Sequence, residues 1–459
     1  MPKIRSRLIV ALTLLLLVSN INAQRSAVDT YAITNARIVT VSGPVIERGT
    51  VVIRNGLIAA AGANVNAPPD ARVIDGTGLT VYPGLIDSYT DLALPPAAPS
   101  PSPSPGGGGG FFALTAPRPA IGPNSTQPPG LQPEVRVEEV IRPGGAEIEA
   151  SRNIGITTAL TAPRSGIWMG QSALINLAGE TPQQMIVRSP VAMHVSFTPL
   201  RTGTYPGSLM GVFSTLRQMM LDAQRYRDSL QIYERAPRGT RRPDTDRSLE
   251  ALVPVIEGRM PVVMLANSER EITRALDLAT EFKLRLIIAG GREANRVSER
   301  LVKQNVPVLL SLNLPRRTTA ALPEADPEPM RVLRERVEAQ QTAGKLAKAG
   351  VRFAFQSGDL RDMSDLMVNA GRVIENGLIA TDALRAFTIW PAEILGVQNQ
   401  LGSIEAGKIA NLTVTRGDLF DRNTRVAHVF IDGRPVDIKP ARDIGPAQPT
   451  SSEPERSKQ

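Results

Sequence analysis

The chain has 459 residues, a formal net charge of +8 and 42% hydrophobic residues, enough for one large domain and a smaller one. It contains no cysteine, which excludes disulfides, thiolate metal sites and cysteine nucleophiles. The basic residues are spread along the chain and only 4% of the residues are aromatic. We therefore expect no nucleic-acid partner, because the chain offers neither a basic stripe nor enough stacking side chains.

Residues 1–23 have the order of a secretory signal peptide. Lys3, Arg5 and Arg7 precede an apolar run over residues 8–18, and the small residue Ala23 marks a cleavage site. The run is shorter than the roughly 20 residues that span a bilayer. The sequence therefore predicts cleavage, no stable membrane anchor, and a periplasmic or secreted protein.

Two β-rich blocks lie at opposite ends of the chain, over residues 24–80 and 397–439. In the first block, Asn55-Gly56 stands between two apolar runs, which is a strong hairpin signal. In the second block, Asp432-Gly433 ends a β-rich run in the same way. Because the ends of a domain often lie close together, the two blocks predict one composite β-sandwich.

Between these blocks, residues 81–396 alternate between strand and helix signals, as in βαβ units with a parallel sheet. The number of units predicts an α/β fold closed as a TIM-like (β/α)8 barrel. The candidate strands are 81–87, 154–160, 261–266, 284–289, 306–312 and 351–355, and the candidate helices are 269–282, 293–304, 329–349 and 364–376.

A Pro/Gly-rich insertion follows the first predicted barrel strand. Residues 95–133 contain Pro-Ser-Pro-Ser-Pro and then an unbroken run of glycine, a composition that cannot build a core. Loops that follow barrel strands lie at the catalytic face, but we favour a passive, disordered linker. The polar, proline-containing tail over residues 440–459 is also predicted to be disordered.

Two motifs, VIDGTGLTVYPGLID over residues 73–87 and LGSIEAGKIANL over residues 401–412, flank the predicted barrel. They resemble motifs of the amidohydrolase superfamily, particularly of its imidazolonepropionase-like and exported branch. The first resembles the start of the family's barrel, and the second resembles the return from the barrel to the β-sandwich. The resemblance implies a composite sandwich around a metal-dependent barrel that normally binds zinc and hydrolyses C–N bonds other than peptide bonds.

The resemblance also implies that metal ligands are missing. After Pro-Gly-Leu-Ile-Asp the family has two histidines separated by one residue, and here those positions are Tyr89 and Asp91. A phenol is a poor ligand for a divalent ion, and one carboxylate does not restore the pair. The family's later histidine positions fall on Leu265 and on Ala289 or Gly290. We therefore expect a degenerate metal site.

One family position persists in the sequence. Asp359 resembles the aspartate that binds metal and handles the proton of the attacking water. The chain has two histidines, and His428 lies in a predicted strand of the C-terminal β-rich block. His194 flanks an apolar run, so we interpret it as a hydrogen-bonded structural residue, with a metal ligand as the alternative. The candidate pocket residues are Tyr89, Asp91, His194 and Asp359.

The sequence leaves two functions open. In the first, the chain is a pseudoenzyme: it binds a small molecule or a partner, as a homo-oligomer or as a hetero-oligomer with an intact amidohydrolase paralogue. In the second, it is an active hydrolase of cyclic amides, dipeptides or lactones with a non-standard metal site. That site would use Tyr89, Asp91 and Asp359, together with His194.

Overall fold

The structure is a computed structural model that describes residues 30–95, 127–200, 205–316, 328–358 and 360–439. The predicted signal peptide, most of the predicted insertion, the predicted tail and Asp359 lie outside the described residues. Among the described helices, none is both long and apolar enough to cross a membrane.

Strands from both ends of the described chain share one eight-stranded sheet. The two blocks are joined by an antiparallel ladder in which Leu412 lies opposite Pro83. The N-terminal strands are Tyr31–Ile38 (β1), Ile46–Arg54 (β2), Leu57–Gly62 (β3), Arg72–Asp75 (β4) and Thr80–Pro83 (β5). The C-terminal strands are Leu412–Arg416 (β16), Arg425–Ile431 (β17) and Arg434–Val436 (β18).

This sheet bends back on itself. Strands β5 and β16 separate β1 from β17, so a flat sheet would hold β1 and β17 about 14 Å apart. The rings of Tyr31 and Phe430 nevertheless meet edge to face, with their centroids 5.5 Å apart. The N–H of Ala410 also donates to the carbonyl of Gly56 at 2.8 Å. The inner face therefore encloses an apolar core of its own, separate from that of the rest of the chain.

The other strands form a barrel-like α/β region built from two sheets. The first sheet contains Leu85–Thr90 (β6), Ile156–Thr161 (β7), Ala173–Asn176 (β9) and Ile186–Arg188 (β10). The second contains Trp168–Gln171 (β8), Met193–Ser196 (β11), Val262–Ala266 (β12), Leu286–Gly290 (β13), Val308–Ser311 (β14) and Phe353–Gln356 (β15). Strands β11 to β15 are parallel, as the alternating strand and helix signals predict.

The closed (β/α)8 barrel predicted from the sequence needs correction, because the described strands pair as two mixed sheets. Strands β8 and β9 run antiparallel to β11 and β7. Strands β6 and β15 are joined by single hydrogen bonds instead of a ladder. The Ser88 hydroxyl donates to the Phe355 carbonyl at 2.7 Å, and the Ser357 N–H donates to Asp87 Oδ1 at 2.9 Å. On its other side, β6 pairs with β7, and that register is irregular between Asp87 and Thr90.

Helices flank the strands, and most predicted ones are present. The α-helices are Ala146–Asn153 (α1), Pro182–Met185 (α2), Leu209–Arg235 (α3), Arg247–Ile256 (α4), Glu269–Phe282 (α5), Ser298–Lys303 (α6), Met330–Ala349 (α7), Ser364–Glu375 (α8), Ala380–Phe387 (α9) and Ile389–Ile394 (α10). The predicted helix over 293–304 is divided into a 3₁₀ turn, Ala294–Val297, and α6. Helix α5 begins with a capping box between Ser268 and Glu271.

The run predicted as one strand over residues 81–87 serves two sheets. It divides at Gly84 into β5, in the β-rich sheet, and β6, in the barrel-like region. A Cβ atom at Gly84 would overlap the side chain of Thr157 on β7. Glycine is therefore required there, because the chain passes β7 at close range.

Candidate functional site at the strand ends

Strands β6 and β11 bring Tyr89 and His194 into contact inside the barrel-like region. Their ring centroids are 5.4 Å apart and the ring planes are inclined by 31°. His194 is fully buried, and this burial lowers its pKa to about 3, so the imidazole is neutral near neutral pH. Neither of its ring nitrogens bonds to any described residue. The hydrogen bond predicted for His194 is thus not made within the described chain.

The positions that the resemblance assigns to the later histidines are apolar. Leu265 and Ala289 are partners across the β12–β13 ladder, and both belong to the apolar cluster that contains Tyr89. Gly290 has a φ of 94°, and a Cβ atom there would lie 2.5 Å from Asn267 Oδ1. None of these three residues has a side-chain nitrogen or oxygen that can bind a metal ion.

Asp87 is a fully buried carboxylic acid that sequence reasoning treated only as part of the motif. Its Oδ1 accepts the N–H of Ser357 at 2.9 Å and that of Tyr89 at 3.4 Å. Its Oδ2 accepts from no described group. Burial raises the pKa of Asp87 to about 6, although the bonds from Ser357 and the charge of Arg164 oppose the shift. Asp87 can therefore carry a proton at mildly acidic pH.

Asp91 lies at the rim, where it contacts Arg164 from the loop after β7. Arg164 Nε is 3.0 Å from Asp91 Oδ2, and the two side chains are 30% and 48% exposed. Arg164 Nη2 also donates to the carbonyl of Gly358, just beyond β15, at 2.6 Å. One guanidinium thus links the ends of β6, β7 and β15. Sequence reasoning missed Arg164, because no motif distinguishes an isolated arginine in a loop.

The described residues do not fit the zinc ion that the resemblance implies. A catalytic zinc ion normally has three protein ligands, several of them nitrogens. Here Tyr89 lies against an imidazole, Asp91 is paired with Arg164, and Leu265 has no donor atom. In the part of the chain that the structure describes, no three His, Cys, Asp or Glu side chains group as a metal site. Asp359, the remaining family position, lies outside that part.

Comparisons with known proteins agree with this architecture. Residues 265–436 match the model of the amidohydrolase family. An amidohydrolase from Thermotoga maritima is 24% identical and similar in fold, with a TM-score of 0.73 over 89% of this chain and 100% of that one. No curated protein sequence gives a significant match.

Two further solved structures share the fold at lower similarity. A Xaa-Pro dipeptidase with bound methionine is 14% identical, with a TM-score of 0.51 over 89% of this chain and 100% of that one. A protein described as a putative prolidase from Bifidobacterium longum is 15% identical, with a TM-score of 0.51 over 89% and 95%. These likenesses show a TIM-barrel-like α/β fold with a separate β-rich domain.

Proposed function

We propose that this chain, whose residues 265–436 match the amidohydrolase family model and whose fold resembles that of an amidohydrolase, is an exported, non-catalytic relative of hydrolases that act on C–N bonds other than peptide bonds. One observation carries the proposal. The positions where the family's histidines would stand hold Tyr89, which contacts the ring of His194, the Arg164-bound Asp91 and the apolar Leu265. The retained role is binding of a small molecule or of a partner, such as an intact amidohydrolase paralogue.

The chemistry explains why losing these ligands removes catalysis. A metal ion in such hydrolases supplies a nucleophile at neutral pH by lowering the pKa of bound water to about 7. A carboxylate can accept a proton from a water activated in this way. Without a metal ion, neither Asp87 nor Asp359 produces hydroxide at a useful rate.

The test is the metal content of the purified mature chain, together with its hydrolysis of cyclic amides, dipeptides and lactones. We expect substoichiometric zinc, iron and manganese, and no hydrolysis with or without added metal. Stoichiometric metal, lost in Asp359→Ala, would contradict the proposal, and so would hydrolysis. Asp244→Ala is the matched control, because Asp244 is a largely exposed carboxylate that pairs with nearby Arg241.

A second candidate is an active hydrolase with a non-standard site. It is favoured by Asp87, because buried carboxyls with strongly raised pKa values concentrate at functional sites. The same assays separate the two candidates. Hydrolysis that Asp87→Asn abolishes in a correctly folded variant would support the second candidate and overturn the first.

The proposal includes export and assembly. Export is supported by the basic residues, apolar run and Ala23 of the first 23 residues. Fractionation of cells that express the whole chain should place the protein in the periplasm or medium, with an N-terminus cleaved after Ala23. An uncleaved chain in the cytosol would contradict the proposed export.

Assembly is tested by analytical ultracentrifugation of the protein by itself and of its mixture with a paralogue that has an intact His-x-His pair.

A further inference from the structure

The contacts of Arg164 suggest how the mouth of the barrel-like region holds together without a metal ion. We infer that the guanidinium of Arg164 is the cation of this site and joins the strand ends that a metal would otherwise join. The inference rests on the proposed metal-free site. The ligand of the Asp91 carboxylate at the rim is then an organic cation that the chain itself supplies.

Geometry gives the first argument. Two different N–H groups of Arg164 are engaged, one with the Asp91 carboxylate on the β6 side and one with the Gly358 carbonyl on the β15 side. The guanidinium presents five donors in a rigid planar fork, so one group can bridge partners on two strands. Arg164 itself follows β7. The bridge therefore joins three strand ends, as a metal ion with ligands from several strands does.

Charge gives the second argument. Asp91 stands where the resemblance places a neutral histidine, so this chain carries an additional negative charge at the mouth. The fully buried carboxyl of Asp87 lies on the same strand, four residues earlier, and it responds to the charge of Arg164. A positive charge is needed to offset these carboxylates. Arg164 supplies that charge, but a guanidinium cannot ionise a bound water as a metal does.

Part of the Arg164–Asp91 pair is sheltered from solvent, which strengthens it. An exposed ion pair contributes little to stability, because water and salt screen it. Here the Arg164 side chain is 30% exposed and also bonds to a backbone carbonyl, so it is held from two sides. We therefore expect its loss to be measurable, and to be reversed by another cation that reaches Asp91.

The test is chemical rescue of Arg164→Ala in the mature chain. We expect a lower melting temperature than in the wild type, restored by millimolar guanidinium or Mn²⁺. Its affinity for Mn²⁺ should exceed that of the wild type by at least about tenfold, because a repelling charge has been removed. The double variant Arg164→Ala/Asp91→Asn should show no rescue. If Arg164→Ala does not fold, Arg164→Gln serves in its place.

The matched control is Arg217→Ala. Arg217 pairs with Glu281 at 2.8 Å on the surface, with exposed fractions of 44% and 43%, and it lies on α3, away from the strand ends. This variant should show no cation rescue. An unchanged melting temperature in Arg164→Ala, or a drop that neither cation restores, would overturn the inference.

The two proposals fail in different ways. Metal content is measured on the same preparations, and stoichiometric metal in the wild type overturns the proposed function whatever the variants do. A metal-free wild type without rescue of Arg164→Ala overturns only the role of Arg164.

Discussion

Two buried polar regions of this molecule differ in how their atoms are paired. At the junction of the β-rich and barrel-like regions, Asn411 Nδ2 donates to Thr158 Oγ1 at 2.9 Å and to Asn176 Oδ1 at 2.8 Å. The N–H of Asp432 donates to Asn411 Oδ1 at 2.9 Å, and Asn176 Nδ2 donates to Asp432 Oδ1 at 2.8 Å. Each of these four side chains is therefore hydrogen-bonded within the network.

Inside the barrel-like region the situation is the reverse. Asp87 Oδ2 and both ring nitrogens of His194 bond to no described group, although both residues are fully buried. Burying an unpaired polar atom costs about 1–3 kcal/mol, so folding alone does not favour such residues. The comparison teaches that the junction network pairs its polar groups, whereas the interior buries polar groups without partners in the described part of the chain, as expected for the altered site proposed above.

The largest effect is expected at the junction, from Asn411→Ala. The change removes three hydrogen bonds and leaves buried partners unpaired, so we expect a loss of about 3 kcal/mol or more in the free energy of unfolding. Urea unfolding at neutral pH measures it. Asn423→Ala, in an exposed turn, is the control. A loss under about 1 kcal/mol would show that the network does not stabilise the fold.

The next largest effect on stability is expected from Asp87→Asn, which changes the buried carboxyl inside the barrel-like region. The pKa of Asp87 rises from 3.8 to about 6 on folding, so the folded state binds more protons than the unfolded state in that interval. Stability from this group therefore falls as the pH rises from 3.8 to about 6, by roughly 3 kcal/mol.

Asp87→Asn removes this contribution, so the stability of the wild type relative to the variant should decline over the same interval, while the side-chain oxygen can still accept the Ser357 N–H. Unfolding by urea at a series of pH values measures the difference. A difference that does not change with pH would show that Asp87 is not the group responsible. Asp432→Asn is a useful comparison, because burial also raises the pKa of Asp432.

The smallest effect is expected from His194→Phe, which keeps a ring against Tyr89 and removes two unpaired nitrogens. The pKa of His194 falls from 6.5 to about 3 on folding, so stability is lost as the pH drops below 6.5. His194→Phe removes this contribution, so the stability of the variant relative to the wild type should rise by about 2 kcal/mol between neutral pH and about pH 5. Melting temperatures at neutral and acidic pH measure it. His428→Phe, on strand β17, is the comparison variant, because burial also lowers the pKa of His428. Equal acid sensitivity of wild type and His194→Phe would contradict the prediction.

These two pH effects have opposite signs between about pH 4 and pH 6. The wild type should therefore show a flatter pH dependence than either variant. A steep wild-type profile would mean that only one of the two groups is buried as described.

Local signals predicted several elements of the fold correctly. Asn55 and Gly56 both have positive φ, 56° and 81°, as the turn of the β2–β3 hairpin requires. Helix α5 has the predicted bounds, because its capping box and apolar spacing agree. The division at Gly84 was not predictable, since it depends on contact with Thr157, far along the chain.

The sequence predicted which residues replace the family's histidines, but not how those residues contact the rest of the site. The resemblance identified Tyr89 and Leu265 as replacements for histidine, but not the stacking of Tyr89 on His194, which follows from strand packing. Arg164 was missed because its partner Gly358 lies 194 residues away. Asn411 was missed for the same reason, since Thr158 is 253 residues distant. Such pairings are set by the three-dimensional fold and leave no local pattern.

The shared β-rich sheet also has a consequence for how the chain folds. The N–H of Leu419 donates to the hydroxyl of Tyr82, 337 residues earlier in the chain. Strand β5 pairs with β16, so the N-terminal strands cannot complete their sheet until strands near the C-terminus have been synthesised. Pairings this distant in sequence slow folding and leave strand edges open in the meantime. Late closure would keep the proposed exported chain competent for translocation, and we expect chaperones to protect its open edges from aggregation.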